Sequence, residues 1–229
     1  MWDFSFWNAY KGSYYSSLVV TLQLSILAIL FATLLGVIIY WMKTSRFGIG
    51  PFRPLRWIAV VFIEVIRCVP MLLLLLLVYS GSKLLLGIDF TTFQAAVVAI
   101  VMNSSVYIAE IVRAGIEGVD KAQIEAARSL GLNKVQTMRF ITMPQAIKNI
   151  LPAIGNEFVS VIKGSSMASV LGVAEVLFTA KMVTGATFLP FTPLAVAAIF
   201  YFVLTFPLGR LMLFIERRCK QSDLRERTL

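Results

Sequence analysis

Two ionisable side chains interrupt one long apolar stretch of the sequence, residues 149–178. Glu157 and Lys163 are six positions apart, so they fall on different faces of a helix and are poorly placed to pair with each other. Because a charge inside an apolar segment needs a partner, each of them favours a partner from outside its own helix. A zwitterionic amino acid offers both an ammonium and a carboxylate group. The two residues therefore predict non-covalent binding of a molecule of that kind.

Polar side chains also interrupt a second apolar stretch, residues 90–112. Asn103 and Ser104 are adjacent there, and Tyr107 follows one helical turn later. A polar group in hydrocarbon seeks any partner, so these residues are typical of contacts that join one helix to another. Gly164 lends local backbone freedom to the first stretch.

A third set lies in residues 57–80, where Glu64 and Arg67 are three positions apart. That spacing places them on one side of a helix, where they can neutralise each other. Such a pair is typical either of a structural contact, with a neighbouring helix or a partner subunit, or of direct contact with a substrate. Pro70 lies just beyond and predicts a kink, so this segment is a candidate for movement.

Composition argues against several classes of chemistry. The chain has no histidine, which excludes a histidine metal site, a histidine proton relay and a catalytic triad. Its two cysteines, Cys68 and Cys219, are too far apart in the predicted topology to favour a disulfide or a shared metal site. No Gly-x-x-x-x-Gly-Lys-(Ser/Thr) sequence occurs, so the sequence gives no sign of a nucleotide-binding phosphate loop on this chain. We therefore expect no cofactor on this chain.

Composition also predicts the elements that position these residues. Of the 229 residues, 59% are hydrophobic and 14% charged, which is typical of a membrane protein. A helix that crosses the hydrocarbon core needs about 20 residues. A central charge costs about 2.5–3.5 kcal/mol on insertion, which the flanking apolar residues offset. We therefore predict an all-α membrane protein with five spans, at about 18–42, 57–80, 90–112, 149–178 and 192–215.

The distribution of Lys and Arg predicts the orientation of these spans. Cytoplasmic loops collect basic residues, and one side of the predicted topology has only Lys11, Lys83 and Lys181. The basic side comprises Lys43, Arg46, Arg53, Arg56, Arg113, Lys121, Arg128, Lys134, Arg139, Lys148, Arg217, Arg218, Lys220, Arg225 and Arg227. The N-terminus is therefore expected outside, where the aromatic residues 1–17 form a separate interfacial helix. The tail, residues 217–229, is expected in the cytoplasm, and the net charge of +9 indicates anionic lipid rather than nucleic acid as a partner.

The predicted cytoplasmic loop, at about 117–148, contains two short helices separated by a glycine. Its signals are capping boxes at Asp120 with Gln123 and at Asn133 with Gln136, a C′ glycine at Gly131, and Pro144 as the end of the second helix. The first helix, "KAQIEAARSL", aligns Ile124, Ala127 and Leu130 along one stripe. Such a helix is typical either of an element that packs on its own bundle or of a docking element for another protein.

The same loop resembles the EAA loop of ATP-binding-cassette (ABC) importer permeases. It has "EAA" at 125–127, glycine at 131 and "ITMP" at 141–144, with methionine in place of the usual leucine. In that family the loop is the coupling helix, which docks in a groove of the cytoplasmic ATPase. The resemblance implies that an ATPase dimer, carrying ATP and Mg²⁺, is coupled to this chain through Glu125, Ala126, Ala127 and Gly131.

Three further stretches resemble the permeases for polar amino acids within that family. They are "EVIRCVPMLLLL" at 64–75, "NSSVYIAEIVRAGIEGVDKAQIEAA" at 103–127 and "NEFVSVIKGSSMASVLGVAE" at 156–175, with Cys68 where a glycine is usual. The resemblance implies the type I importer fold, with five helices per subunit, in the bacterial cytoplasmic membrane. It also implies a second permease subunit, identical or homologous, and an extracytoplasmic binding protein that delivers the amino acid.

A substrate pocket inside the membrane, where relatives have one, is lined at positions that match Asn103 and Glu157. The candidate substrate-binding residues are Glu157, Asn103, Lys163, Ser104, Tyr107 and Gly164, and the structural or gating residues are Glu64, Arg67 and Pro70. Relatives commonly carry Lys-Asp-(Ser/Thr)-Ser-Leu where this chain has "KGSSM" at 163–167. The missing aspartate weakens an assignment to arginine or lysine as the substrate.

Three functional hypotheses were compared for this membrane chain. An importer permease driven by a separate ATPase explains the 125–144 segment. A secondary transporter driven by an ion gradient usually has internal repeats, and none is visible here. A membrane enzyme lacks a convincing nucleophile and base, and a scaffold leaves the segment unexplained. We therefore expect an importer permease for a polar amino acid, with the secondary transporter as the alternative.

Overall fold

The fold is built from helices in the part of the chain that the computed structural model describes, which is residues 3–45, 47–48 and 53–227, with side chains as far as Cys219. The helices are α1 Trp7–Thr44, α2 Pro54–Cys68, α3 Met71–Leu86, α4 Thr92–Glu117, α5 Lys121–Ser129, α6 Lys134–Thr137, α7 Met143–Gly164, α8 Val176–Thr187 and α9 Thr192–Arg227. A π-helical turn, Met138–Thr142, precedes α7, and a 3-10 helix, Ser165–Leu171, follows it. Outside the described part lie Arg46, residues 1–2 and 228–229, and the side chains of Lys220, Arg225 and Arg227.

Length and hydropathy identify the helices that are able to cross a membrane. Among the described residues, three qualify alone: α1, α4 and the Thr192–Cys219 part of α9. Two further pairs qualify only as bent spans, α2 with α3 (114° bend) and the stretch Lys134–Leu171 with α8 (46° bend). The described chain thus has three candidate spans, or five if each bent pair is one span. The orientation of the termini stays a prediction.

Helix α1 is longer than the predicted first span. The sequence predicted a separate helix within residues 1–17, but Trp7–Thr44 is one continuous helix. Its first turns are held from the side, because the rings of Trp7 and Tyr14 lie 6.4 and 5.6 Å from that of Phe200 on α9. The Tyr14 hydroxyl also donates to the carbonyl of Pro193 at 2.9 Å. This packing on α9 explains why the segment continues the span as a helix.

Pro70 breaks the predicted second span more completely than a kink. Helix α2 ends at Cys68, α3 begins at Met71, and the two axes differ by 114°. Proline has no N–H to donate within a helix, and its ring clashes with the preceding turn. Its carbonyl instead accepts the N–H of Leu74 at 2.9 Å, which starts α3. The prediction of one kinked helix over 57–80 is therefore wrong, because two helices meet here.

The predicted ion pair between Glu64 and Arg67 is absent. Both side chains are exposed on α2, and the structure records no ion pair for either within the described residues. Their neighbours Ile63 and Ile66 turn inward and are buried in the core. Both charges therefore remain available to a partner outside this chain.

Small residues let α1 and α4 approach closely. Ala28, Ala32 and Gly36 recur every fourth residue along α1 and are buried. Such stripes favour helix packing in membranes, where lipid is as apolar as the core. A β-carbon on Gly36 would lie 2.7 Å from Cγ2 of Ile108 and 2.9 Å from the carbonyl oxygen of Ser105. The backbones of the two helices are therefore in near contact at Gly36.

Replacing Gly36 with alanine should destabilise the fold by about 1–3 kcal/mol, the usual cost of overpacking. Gly12 lies in the same helix with nothing near its missing β-carbon, so Gly12→Ala should be neutral or slightly stabilising. The measurement is thermal unfolding of both variants in one detergent. Equal shifts for the two variants would show that the close approach at Gly36 contributes nothing.

A second break divides the predicted fourth span. Gly172 takes a φ of +86°, a left-handed conformation that glycine adopts without strain. After this turn the Glu175 carboxylate caps α8 by accepting the N–H groups of Leu177 (2.9 Å) and Phe178 (2.7 Å). The Tyr201 hydroxyl also donates to it, so this fully buried carboxylate is satisfied. The predicted single helix over 149–178 is thus two helical segments joined at a bend.

Candidate functional site

A polar cavity of about 310 Å³ lies between α3, α4 and α7. Its lining comprises Met71, Ile100, Asn103, Ser104, Tyr107, Glu157, Ser160, Val161 and Gly164. Within α4 and within α7 the lining residues are mostly three or four positions apart, so each helix presents one stripe to the cavity. Helix α3 closes the cavity with its first residue, directly after the break at Pro70. The volume is at the lower end of the range for small-molecule sites.

Glu157 supplies the only charge among the described residues that line this cavity. It is half-buried on α7, and Ser104 lies beside its carboxylate. The other polar groups are the Asn103 amide and the hydroxyls of Ser104, Tyr107 and Ser160, which both donate and accept hydrogen bonds. A carboxylate of this kind attracts an ammonium group, and the neutral groups are able to hold a carboxylate or a polar side chain. The arrangement suits binding of a small dipolar molecule.

The cavity brings together all but one of the predicted substrate-binding residues. Lys163 is the exception, because its side chain is exposed and does not line the cavity. It lies about 240° around α7 from Glu157, given about 100° per residue. The two charges therefore do not hold the two ends of one amino acid within this subunit.

Sequence analysis missed four of the lining residues: Met71, Ile100, Ser160 and Val161. Ser160 had a usable signal, because it follows Glu157 by three positions and so shares its face of α7. Met71 had none, because its place in the wall depends on the bend at Pro70.

A larger groove, of about 650 Å³, lies between the start of α1 and α9. Its walls include Phe4, Trp7, Phe200 and other apolar side chains, with no charged residue among the described lining. Such a surface suits lipid chains or another helix rather than a polar ligand. The smaller cavity at Glu157 is therefore the candidate binding site.

The loop between α4 and α7 contains the predicted first helix, which is α5. The hydrogen bonds at the N-terminus of α5 differ from the predicted ones. Asp120 caps α5 by accepting the N–H of Ala122 at 2.9 Å. Gln123 does not complete the predicted capping box. Its Oε1 instead accepts a hydrogen bond from Nε2 of Gln145 at 2.6 Å. This bond ties α5 directly to the first turns of α7.

The remaining helix signals of the loop are correct except at Pro144. Asn133 and Gln136 form a capping box, with both hydrogen bonds at 2.9 Å. Gly131 takes a φ of +89° just past the end of α5, as a C′ residue does. The second helix does not end at Pro144, because α6 passes through the π-helical turn directly into α7. The π-helical turn, in which the N–H of Met143 donates to the carbonyl of Met138, interrupts the α-helical pattern directly before Pro144.

Helix α5 turns one face to the chain and another outward. Ala127 is buried, whereas Glu125 and Ala126 are exposed. Ala127 lies about 200° around the helix from Glu125, which explains the difference. Of the predicted ATPase-coupling residues, Glu125 and Ala126 are therefore exposed, whereas Ala127 is turned into this chain.

Large apolar side chains that follow α5 in the chain are also exposed. Leu130 is 82% exposed and Val135 75% exposed, and Phe140 is exposed as well. Large apolar groups that are exposed together outside a membrane mark a surface for a partner. The predicted stripe is thus divided, because Ile124 is half-buried and Leu130 projects outward. Sequence analysis did not single out Val135 or Phe140.

The chain matches a known protein family over most of its length. Residues 33–221 match the family described as "Binding-protein-dependent transport system inner membrane component". The arginine transport system permease protein ArtQ of Bacillus subtilis is 38% identical over 206 residues, which cover 90% of this chain and 92% of that protein. The probable glutamine ABC transporter permease protein GlnM of the same organism is 35% identical over 219 residues, covering 96% and 97%.

Solved structures agree with this match. A chain from the crystal structure of an amino acid ABC transporter with histidines has 42% sequence identity and a TM-score of 0.88, covering 95% of this chain and 99% of its own length. A chain of the MetNI methionine ABC transporter, in an inward-facing conformation, shares the fold at 17% identity and a TM-score of 0.75, covering 92% and 98%. From the family match and the full-length relatives, this chain belongs to the family of inner membrane components of binding-protein-dependent transport systems.

Proposed function

We propose that this chain is the permease subunit of an ABC importer and carries a polar amino acid across the bacterial cytoplasmic membrane. The observation that carries the proposal is the cavity between α4 and α7, where the single carboxylate of Glu157 faces neutral hydrogen-bonding groups. Relatives named as arginine and glutamine permeases support the choice of an amino acid. The family favours ATP as the energy source over an ion gradient.

In this proposal Glu157 binds the ammonium group of the amino acid. Asn103, Ser104 and Tyr107 hold its carboxylate and its side chain through neutral hydrogen bonds. Gly164 leaves the wall with one carboxylate, whereas many relatives carry an aspartate at the position of this glycine. A dibasic amino acid has two cationic groups to satisfy, so a neutral polar amino acid is the better fit.

The outward face of α5 is the proposed docking site of a cytoplasmic ATPase dimer, which holds ATP and Mg²⁺. Glu125 and Ala126 form this face, and Leu130 extends it. Closure of the ATPases moves α5, and the hydrogen bond between Gln123 and Gln145 passes the movement to α7. Because α7 runs unbroken from Met143 to Gly164, the movement reaches Glu157 about 18 Å further along the same helix.

Other partners follow from the same proposal. A second permease subunit, identical or homologous, covers the charged face of α2 at Glu64 and Arg67, since exposed charges in a span need a partner. An extracytoplasmic binding protein delivers the amino acid to the side opposite α5. The N-terminus is then outside and the tail lies in the cytoplasm.

Lys163→Gln tests whether the substrate site is limited to the cavity. Because Lys163 is exposed outside the cavity, we expect uptake by the reconstituted complex to change by no more than about twofold. The measurement is the initial uptake rate at saturating binding protein. A loss as large as that of a Glu157 variant would place Lys163 at the substrate.

Copurification from gently solubilised membranes tests the proposal as a whole. A tagged chain should recover a soluble ATPase, and the Glu125→Ala variant should recover less of it because the docking face has lost its charge. The same experiment shows whether a second, different permease is present. Recovery of the chain without an ATPase would contradict the proposal and favour a secondary transporter.

A further inference from the structure

A second cavity, of about 580 Å³, lies where the end of α4 meets α5 and α6. The transport mechanism proposed above does not use it. Its main lining residues are Ile116, Glu117, Lys121, Ile124, Arg128 and Lys134.

Positive charge dominates this second cavity. Lys121, Arg128 and Lys134 line it, and none of them has an ion pair within the described residues. Glu117 is the only carboxylate among the described lining residues, and it is already engaged by Arg113. Three exposed cations thus face one space whose single described carboxylate, Glu117, is bound by Arg113. Such a site favours an anion.

In the proposed orientation, the length of α4 favours a position for this cavity near the lipid headgroups. Helix α4 has 26 residues and is about 39 Å long, whereas the hydrocarbon core is about 30 Å thick. The last turns of α4, which carry the ion-paired Arg113 and Glu117, therefore extend beyond the hydrocarbon. Ile116 and Ile124 give the cavity an apolar wall next to its cations. This combination matches a phospholipid, whose phosphate meets the cations while its glycerol and first acyl carbons contact the apolar wall.

Helix α5 carries this cavity and the surface proposed to dock the ATPase on adjoining sides, because Glu125 follows Lys121 by four positions and precedes Arg128 by three. Lys121, Ile124 and Arg128 are spaced three and four positions apart, so they share one side of α5. Glu125 and Ala126 lie outside the lining and are exposed on the outward face. An anion in the cavity would therefore lie beside an ATPase docked on α5. An anion bound there would hold α5 in place relative to α4.

We infer that this cavity binds the phosphate-bearing headgroup of an anionic phospholipid from the cytoplasmic leaflet and thereby fixes the position of α5. The inference takes the orientation of the chain from the proposed function, but it uses neither Glu157 nor the outward face of α5. The apolar wall and the depth of the cavity favour lipid phosphate over free phosphate.

The test counts the phospholipid that the purified complex, with its ATPase, retains from mixed nanodiscs. Native mass spectrometry compares phosphatidylglycerol with phosphatidylcholine. We expect the wild-type complex to retain phosphatidylglycerol preferentially. Each of Lys121→Gln, Arg128→Gln and Lys134→Gln should weaken that retention about fivefold, and the triple variant about 100-fold.

Arg139→Gln is the matched control for removing a cation from the same loop. Arg139 stacks on Phe140, with 5.6 Å from its guanidinium carbon to the ring centroid, and it does not line the cavity. Its replacement should leave retention unchanged. An equal loss in this control, or unchanged retention in the triple variant, would overturn the inference. If the triple variant fails to fold, the single Lys134→Gln variant, whose folding is checked by gel filtration, provides the test in its place.

Two further measurements distinguish a bound lipid from free phosphate and from a role of the cations in binding the ATPase. Inorganic phosphate that binds the detergent-solubilised complex as tightly as the lipid, and is lost in the same variants, would overturn the assignment to a lipid. A triple variant that keeps its lipid but loses its ATPase would assign the cations to the protein interface instead. Lipid retained by a Glu125→Ala chain that has lost its ATPase would support the lipid site while the coupling proposal is tested separately.

Discussion

Replacing Glu157 with glutamine is expected to reduce amino-acid uptake about 10- to 150-fold while the complex still assembles with its ATPase. Glutamine keeps the shape of the side chain but removes the charge that is proposed to bind the substrate ammonium. A hydrogen bond to a charged group contributes about 1.5–3 kcal/mol, which corresponds to that change in rate. Glu157 has no ion-pair partner among the described residues, so removing its charge leaves none of their cations unpaired. The measurement is ATP-driven uptake into proteoliposomes at a fixed amount of binding protein.

Glu157→Asp is the control that keeps the charge. Its carboxylate is one methylene shorter, so we expect an uptake rate between those of the wild type and the glutamine variant. The glutamine variant should still hydrolyse ATP, but with a weaker response to substrate-loaded binding protein. Uptake at the wild-type rate in Glu157→Gln would remove this residue from the translocation site.

Replacing Gly131 with valine is expected to abolish coupled uptake although the residue lies outside every span. Its φ of +89° is strained for residues with a β-carbon, by about 1–2 kcal/mol and by more for a β-branched side chain. Nothing lies within 4 Å of a β-carbon at Gly131, so the effect is conformational rather than steric. The strain would disturb the turn in which the N–H of Leu132 donates to the carbonyl of Ala127 at 3.1 Å. The outward face of α5 would then lose its position relative to the ATPase.

Gly131→Asn separates backbone strain from the mere presence of a side chain. Asparagine adopts the left-handed conformation more readily than valine, so this variant should keep most of the coupling. Both variants are compared by the amount of ATPase that copurifies with the chain and by the ATP-driven uptake rate. Equal coupling in the two variants would show that the positive φ at this position is unimportant.

Helical periodicity groups the predicted polar residues that line the cavity, but the sequence did not predict that a cavity exists. Asn103, Ser104 and Tyr107 recur within one stretch of α4, and Glu157 and Gly164 share a stripe of α7. Residues spaced in this way face the same side of a helix, whatever packs against it. Which two helices face each other came from the family resemblance and not from the pattern.

Features that depend on tertiary packing were predicted poorly. The direction of the chain after Pro70 depends on what α3 contacts, so the sequence indicated a kink and not a bend of 114°. The pairing of Glu64 with Arg67 failed because the same spacing also allows both charges to face a partner. The inward turn of Ala127 likewise depends on how α5 packs against the rest of its loop.

The start of α1 also depends on tertiary packing, but here the structure is continuous where the sequence predicted a break. Aromatic residues near the N-terminus are typical of a membrane interface, and this composition predicted a separate helix. The rings of Trp7 and Tyr14 instead pack against Phe200, more than 180 residues further along the chain. A contact at such sequence distance leaves no local signal, so the continuity of α1 could not be read from its own residues.

An uptake assay that identifies the energy source of transport tests the proposed function most directly. The complex of this chain, its partner permease and its ATPase is reconstituted into vesicles containing ATP, and uptake of a polar amino acid is followed with binding protein outside. Uptake that requires ATP inside, continues when ionophores collapse the ion gradients, and falls in Glu157→Gln is the result expected of an ABC permease. Uptake that is independent of ATP and is abolished by the ionophores would contradict that function and identify a secondary transporter.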